Sequence, residues 1–184
     1  MDTTHDGTDA KALQRGLTLI EAAIVVAIAA IVAAAAAPSL GAFVDKRRLD
    51  GAAAALAADV HFTRQEAVAR RQALRLGVQN TPAGTCWVVH TGGAGQCLCA
   101  DAGPAVCGGG AVEIKTVVLP GAERVRVGAN VGSILFDPLH GTSTPTGTLR
   151  LADTHGRAIH HVVNVMGRVR SCAAAAVIPG LPAC

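Results

Sequence analysis

From Ala22 to Ala37 the chain carries no polar side chain and no glycine, only Ala, Val and Ile. Taken with Leu17–Ile20 in front of it, this stretch makes a helix of about 30 Å at roughly 1.5 Å per residue, the thickness of a bilayer core. Pro38 closes the run. Glu21 is the anomaly, because a carboxylate in hydrocarbon costs about 2.5–3.5 kcal/mol and needs a partner or a route to the interface. It lies close to one edge of the span, where an ordinary signal anchor would let it reach the interface. Lys11 and Arg15 precede the span, so this side stays cytoplasmic and everything after Pro38 is exported.

A secretory signal peptide has its small-residue cleavage site after the apolar region, whereas here a glycine, Gly16, comes before it. Cleavage after Gly16 leaves the hydrophobic helix on the mature chain. The segment Arg15-Gly16-Leu17-Thr18-Leu19-Ile20-Glu21 resembles the N-terminus of type IV pilins and pseudopilins. That resemblance implies a prepilin peptidase site after Gly16 and Leu17 as the N-methylated first residue, at a position where such families usually have Phe. It implies for Glu21 a role in assembly, its charge neutralising the terminal amine of an adjacent subunit. Residues 1–16 are then a leader and residues 17–37 the transmembrane half of a helix.

The exported remainder, about 145 residues, is enough for one domain with its own core. Aromatic content is only 2% (Phe43, Phe62, Trp87 and Phe136), so that core is built from Val, Leu, Ile and Ala. No second run approaches membrane length. Six cysteines in an oxidising compartment favour disulfides over free thiols. The simplest pairing joins Cys172 to Cys184, and Cys86, Cys97, Cys99 and Cys107 bridge among themselves in any of three connectivities. The spacing of these four departs from a double CxxC zinc pattern.

From Leu49, the apolar residues Leu49, Ala53, Leu56, Val60, Ala67 and Leu74 recur at helical spacing, while Arg47, Arg48, Asp59, Arg64, Glu66, Arg70 and Arg71 take other faces. This predicts an amphipathic second half of the helix over residues 38–72, with bends allowed at Pro38 and Gly51. Residues 73–184 read as a β-rich domain. Strands are predicted at 73–78, 86–90, 112–119, 124–127, 133–136, 148–152, 158–165 and 168–171, with hairpin turns at Asp153–Gly156 and Met166–Gly167. The Gly- and Cys-rich stretch 92–110 is expected to be a disulfide-tied loop. The fold class is α+β, one long N-terminal helix packed on antiparallel sheet.

Three further segments narrow the resemblance: residues 62–71 (Phe62 to Arg71), Ile134-Leu135-Phe136-Asp137-Pro138, and Gly147-Thr148-Leu149-Arg150-Leu151 followed by Gly156-Arg157. Together with the N-terminus they are similar to the GspH/FimT family of minor pseudopilins and minor pilins, and imply a pilin-like fold. One branch of that family serves type II secretion and the other type IV pili. Gly167-Arg168-Val169-Arg170 matches the GRxR motif associated with DNA binding in FimT-like proteins, which implies duplex DNA as a partner alongside other pilin subunits, the prepilin peptidase and the inner membrane.

The chemistry of that motif follows from strand geometry. In an extended chain Arg168 and Arg170 point to the same side and can meet neighbouring phosphates. Residues 150–184 hold Arg150, Arg157, Arg168 and Arg170 against one carboxylate, Asp153, with His155, His160 and His161 nearby. Arginine suits bidentate phosphate contacts, and with no aromatic platform for bases, binding is expected to be sequence-independent and salt-sensitive. The plainer alternative is that two arginines on an edge strand prevent edge pairing.

Other constellations point to no chemistry. His160 and His161 alternate across a strand and do not face one metal. Asp137, His140 and Ser143 sit in a turn-rich stretch with no nucleophile elbow, and Gly128–Gly132 precedes no Lys-Ser/Thr helix. No enzyme, cofactor or metal site is expected. The functions that remain are a DNA-binding minor pilin, a structural pseudopilin of a secretion system, and a monomeric membrane-anchored domain for which Gly16 would be accidental.

Overall fold

The computed structural model describes residues 18–101, 103–174 and 178–184. Thr18 opens the long helix α1 (Leu19–Arg70), its hydroxyl accepting the Glu21 N–H at 3.3 Å, an N-cap that satisfies one of the helix's orphan donors. The helix runs through Pro38 and Gly51 and ends in a Schellman turn. Gln72 N–H bonds Ala67 C=O at 3.1 Å and Arg71 N–H bonds Val68 C=O at 3.2 Å, with Arg71 at φ 52° where glycine is commonest.

The chain divides into two compact units, Met1–Gly41 and Ala42–Cys184. In the first, Ile24, Val25, Ile28 and Ile31 are all exposed, as suits a helix whose solvent is lipid. Every residue of the hydrophobic core lies in the second, between Leu49 and Ile178, so Ala42–Cys184 carries its own core and folds as a unit.

Among the described residues, eleven strands follow: β1 (Leu74–Thr81), β2 (Gly84–His90), β3 (Cys97–Leu98), β4 (Val106–Cys107), β5 (Glu113–Pro120), β6 (Val125–Ala129), β7 (Ser133–Phe136), β8 (Ser143–Thr144), β9 (Gly147–Asp153), β10 (Ala158–Val163) and β11 (Val169–Ala173). The α+β reading of a long helix on antiparallel sheet is borne out, with two antiparallel sheets. They are ordered β5-β2-β1-β7-β8 and β11-β10-β9-β6, and β3–β4 is a separate ribbon. The short strands β3, β4 and β8 have too few residues for a period-2 signal, which is why sequence periodicity passes over them.

Leu49, Ala52, Ala53, Leu56, Val60 and Ala67 form the buried stripe of α1, packed against Leu76, Trp87, Phe136, Leu149 and Leu151 from both sheets. Leu74 lies in β1, within the strand expected at 73–78. One expectation for the helix is corrected. Asp59 faces inward at 3% exposure, where its two oxygens accept from Trp87 Nε1 at 2.8 Å and Lys115 Nζ at 2.6 Å. A carboxylate on the core face survives because both oxygens are paired.

The loop between β2 and β5 is closed by Cys86–Cys99 and Cys97–Cys107. Gln79 ties it down, donating to Cys97 C=O at 2.7 Å and accepting from Cys99 N–H at 2.9 Å. Cys86, Val88 and His90, on the face of β2 opposite Trp87, are fully buried, so β2 is covered on both faces.

Candidate nucleic-acid interface

Antiparallel register decides which side chains of the second sheet share a surface, because directly opposed residues point the same way and neighbours along a strand alternate. Arg126 opposes Ala152, Arg150 opposes both Gly128 and His160, and Arg170 opposes Val162. All three arginines therefore lie on the face turned away from α1, whose helix-side counterparts are Val127, Leu149, Leu151, Ile159 and Val163. Arg168, two residues before Arg170, joins them. All four are exposed, and none of the described residues forms an ion pair with them.

The registers place the four arginines on a diagonal across the sheet. With about 3.4 Å per residue and about 4.8 Å between strands, successive Cα positions from Arg168 through Arg170 and Arg150 to Arg126 are about 7, 12 and 8 Å apart, and the row is about 25 Å long. The other outward positions of this face, among them Gly128, Thr148, Ala152, Ala158 and Val162, hold no carboxylate. The result is an unneutralised basic stripe of a length suited to a polyanion. Arg126 is a member that the sequence reading missed. Its alternation with Val125 and Val127 marks it as outward-facing, but only the pairing of β6 with β9 brings it beside Arg150.

Arg157 departs from the expectation that it belongs with the others. Its Nε bonds Asp153 Oδ2 at 2.6 Å and its Nη1 and Nη2 each donate to the Ala42 carbonyl at 3.3 Å, which places it on the helix side of the sheet. Its charge is matched by Asp153, so it is a brace between the β9–β10 turn and α1.

The histidines add no charge to the stripe either. His161 is buried, with Nε2 against Ala53 C=O at 2.9 Å and Nδ1 against Ser171 Oγ at 2.8 Å, and burial holds its pKa below the usual value. His160 shares the face with Arg150, and partial burial followed by that guanidinium's charge lowers its pKa too. His155 turns to Asp45, Nε2 to Oδ2 at 3.0 Å. This hydrogen bond, with Arg124 and Arg48 close by, pulls the Asp45 carboxyl below the usual carboxylate range.

The turn that presents Arg168 is clamped. Asn164 Oδ1 accepts the N–H groups of Met166 and Arg168, both at 3.0 Å. Gly167 adopts φ 67°, and a Cβ there would lie 2.7 Å from the Gly141 carbonyl and 2.8 Å from the Arg64 side chain. Arg64 Nε in turn donates to that carbonyl at 3.0 Å, and Ser143 bonds Asn164 C=O through Oγ at 2.6 Å. The glycine of Gly167-Arg168-Val169-Arg170 is thus required by backbone geometry and close packing. At the other end of β11, Cys172 bonds Cys184, and the tail is held further by Ala173 N–H to Pro182 C=O at 2.8 Å and Cys184 N–H to Ala173 C=O at 3.0 Å.

Gly16 and Leu17 lie outside the described residues. Glu21 sits in the first turn of α1, exposed.

The family profile described as Type II transport protein GspH matches residues 52–167, more than half of the chain. The chain belongs to the GspH family. A prokaryotic N-terminal methylation motif matches residues 11–37. No curated protein is significantly similar in sequence. Among solved structures, the type IV minor pilin FimU of Pseudomonas aeruginosa is similar in two crystal forms. The P21 form has a TM-score of 0.52 at 18% identity, covering 73% of this chain and 98% of that one. The P65 form has a TM-score of 0.49 at 16% identity, covering 69% and 98%.

This GspH-family chain therefore has the fold of a minor pilin. Family and methylation motif together fit a pilin-type subunit that associates with others of its kind. Family and fold are those of structural subunits, and the apolar first half of α1 fits an inner-membrane anchor.

Proposed function

We propose that this chain is a minor pilin of a type IV pilus that takes part in pilus assembly and binds duplex DNA without reading its sequence, during DNA uptake. The observation that carries this reading is the unneutralised stripe of Arg168, Arg170, Arg150 and Arg126 on the outer face of the second sheet. Guanidinium groups spaced along a sheet face suit phosphates, whose contacts carry no sequence information. In this account the peptidase cuts after Gly16, Leu17 becomes the methylated N-terminus, and Glu21 neutralises a neighbour's terminal amine. Residues 17–37 cross the inner membrane, and the amphipathic helix of residues 38–72 with the β-rich residues 73–184 faces the periplasm. That compartment suits the three disulfides.

The second reading, a structural pseudopilin of type II secretion, is favoured by the description of the matched family itself. A salt-series titration of duplex DNA with Ala42–Cys184 separates the two. Under the first reading the wild type binds with a steep salt slope, and Arg168→Ala/Arg170→Ala lowers that slope by about 2, since each phosphate the protein neutralises contributes roughly 0.9. No binding at low salt by a folded wild type leaves the secretion role as the better account.

A further inference from the structure

At the Arg168 end of the stripe the β10–β11 turn presents two apolar side chains to solvent: Val165 is 55% and Met166 49% exposed. Hairpin tips are ordinarily polar, and this one is held rigidly for a surface turn. Asn164 Oδ1 fixes the N–H groups on either side of Gly167, Ser143 N–H bonds Val165 C=O at 2.8 Å, and Gly167 is wedged against Gly141 and Arg64. The clamp loop adds Leu139, 73% exposed. Asp137 in the same loop spends its Oδ1 on the N–H groups of Leu139 and His140, at 2.9 and 2.8 Å.

We propose that this tip is an apolar wedge, with Met166 as the inserting side chain, that enters the minor groove of duplex DNA at one end of the arginine stripe. The inference rests on the DNA-binding reading above and deepens it. Three observations choose DNA as the occupant. The tip continues the basic stripe directly, through Arg168, so a duplex lying along the stripe meets it. A two-stranded ribbon with an unbranched, apolar side chain at its end has the shape and chemistry of groove-inserting elements, in which Met is one of the recurrent wedges. The clamp also lowers the ordering entropy that insertion would otherwise cost. A wedge between base steps partly unstacks them and kinks the duplex toward the major groove, letting the helix axis follow a twisted sheet.

The test uses Ala42–Cys184, which carries the whole core, and a mixed-sequence 30-base-pair duplex, a length chosen to exceed the roughly 25 Å stripe several-fold, with a fluorescent donor and acceptor at its two ends. Wild type is expected to raise energy transfer on binding. Val165→Ser/Met166→Ser is expected to keep the wild-type salt slope and lose that rise. Met166→Lys, which gains a phosphate-seeking charge and loses the wedge, is expected to steepen the slope and also lose the rise; both sites are exposed, and circular dichroism checks the fold. Wild type that binds without any rise, or tip variants that bend DNA as wild type does, overturn the wedge while leaving DNA binding intact. Tip substitutions that leave DNA bending normal in Ala42–Cys184 but keep the full-length chain out of filaments assign the patch to a neighbouring subunit and overturn the wedge as well. Wild type that binds no duplex at low salt overturns both readings, an outcome distinguished by the behaviour of the unmutated protein.

Discussion

Trp87 Nε1 donates to Asp59 Oδ2 at 2.8 Å, joining the chain's one tryptophan, on β2, to a carboxylate on the core face of α1. Lys115 from β5 completes the site at 2.6 Å, with its ammonium also 5.9 Å from the centre of the Phe62 ring. One charged group thereby locks the register of the helix against two strands. In Asp59→Ala the Trp87 indole N–H is left buried without a partner. A loss of about 2–3 kcal/mol is expected in urea unfolding of Ala42–Cys184. A change under about 0.5 kcal/mol, on the order of an ordinary surface substitution, would show the bond to be incidental.

Arg157 and Arg170 are distinguishable by what their removal affects. Arg157 is bound to Asp153 and the Ala42 carbonyl, and without it the fully buried Asp153 side chain is short of a partner. Arg157→Ala is expected to lower stability by about 1.5–3 kcal/mol and to leave the salt slope of DNA binding unchanged. Arg170→Ala should do the reverse, leaving the urea midpoint where it was.

Gly167→Ala introduces a Cβ at positive φ, 2.7 Å from a backbone oxygen. Destabilisation of about 1–3 kcal/mol is expected. Since Arg168 is presented by the same turn, DNA affinity should fall while both arginines are still in place. An unchanged melting temperature would mean the turn relaxes freely.

Acidification should weaken the domain through His161. Its folded pKa lies below the ordinary value of 6.5, so the unfolded chain takes up the proton first. Stability is then complete above about pH 6.5 and declines as pH falls toward the folded value. His160 acts with the same sign, and Asp50, which pairs with Lys46, lines the cavity beside His161. His161→Gln keeps hydrogen-bonding groups without titrating, so its stability profile between about pH 6.5 and 5 should be flatter than that of wild type. Parallel profiles would contradict this.

Cys172–Cys184 closes the C-terminal tail onto the edge of β11, where Ala173 pairs with Ala183. Replacing both by Ser is expected to cost about 2–4 kcal/mol. It should also raise hydrogen exchange at Ala173 and Cys184, whose N–H groups are bonded across that edge. Protection equal to wild type would show that the tail docks without the bridge.

Much of this protein is legible in its sequence because the relevant signals are local. The apolar run, the 3.6-residue stripe from Leu49 to Ala67 and the turns at Asp153–Gly156 and Met166–Gly167 all depend on residues within a few positions of one another. Asp59 escaped that reading because a lone aspartate among helix-surface charges looks solvated, and only Trp87 and Lys115, from strands 28 and 56 residues away, make its burial tolerable.

The basic face shows the same division. Strand alternation alone puts Arg168 and Arg170 on one side, and the N-terminal segment alone carries the methylation motif and an apolar helix that fits a membrane anchor. Which other arginines join that side is a question of strand order and register, set by long-range pairing with no local signature. The pairing of β6 with β9 recruited Arg126, the hydrogen bonds to Ala42 removed Arg157, and the clamp of Arg64 and Ser143 fixed the tip beside Arg168. Anchor, fold class and motif were thus written in runs of neighbouring residues. Which charges stand together unneutralised emerged only when the chain folded, because neutralisation depends on partners distant in sequence.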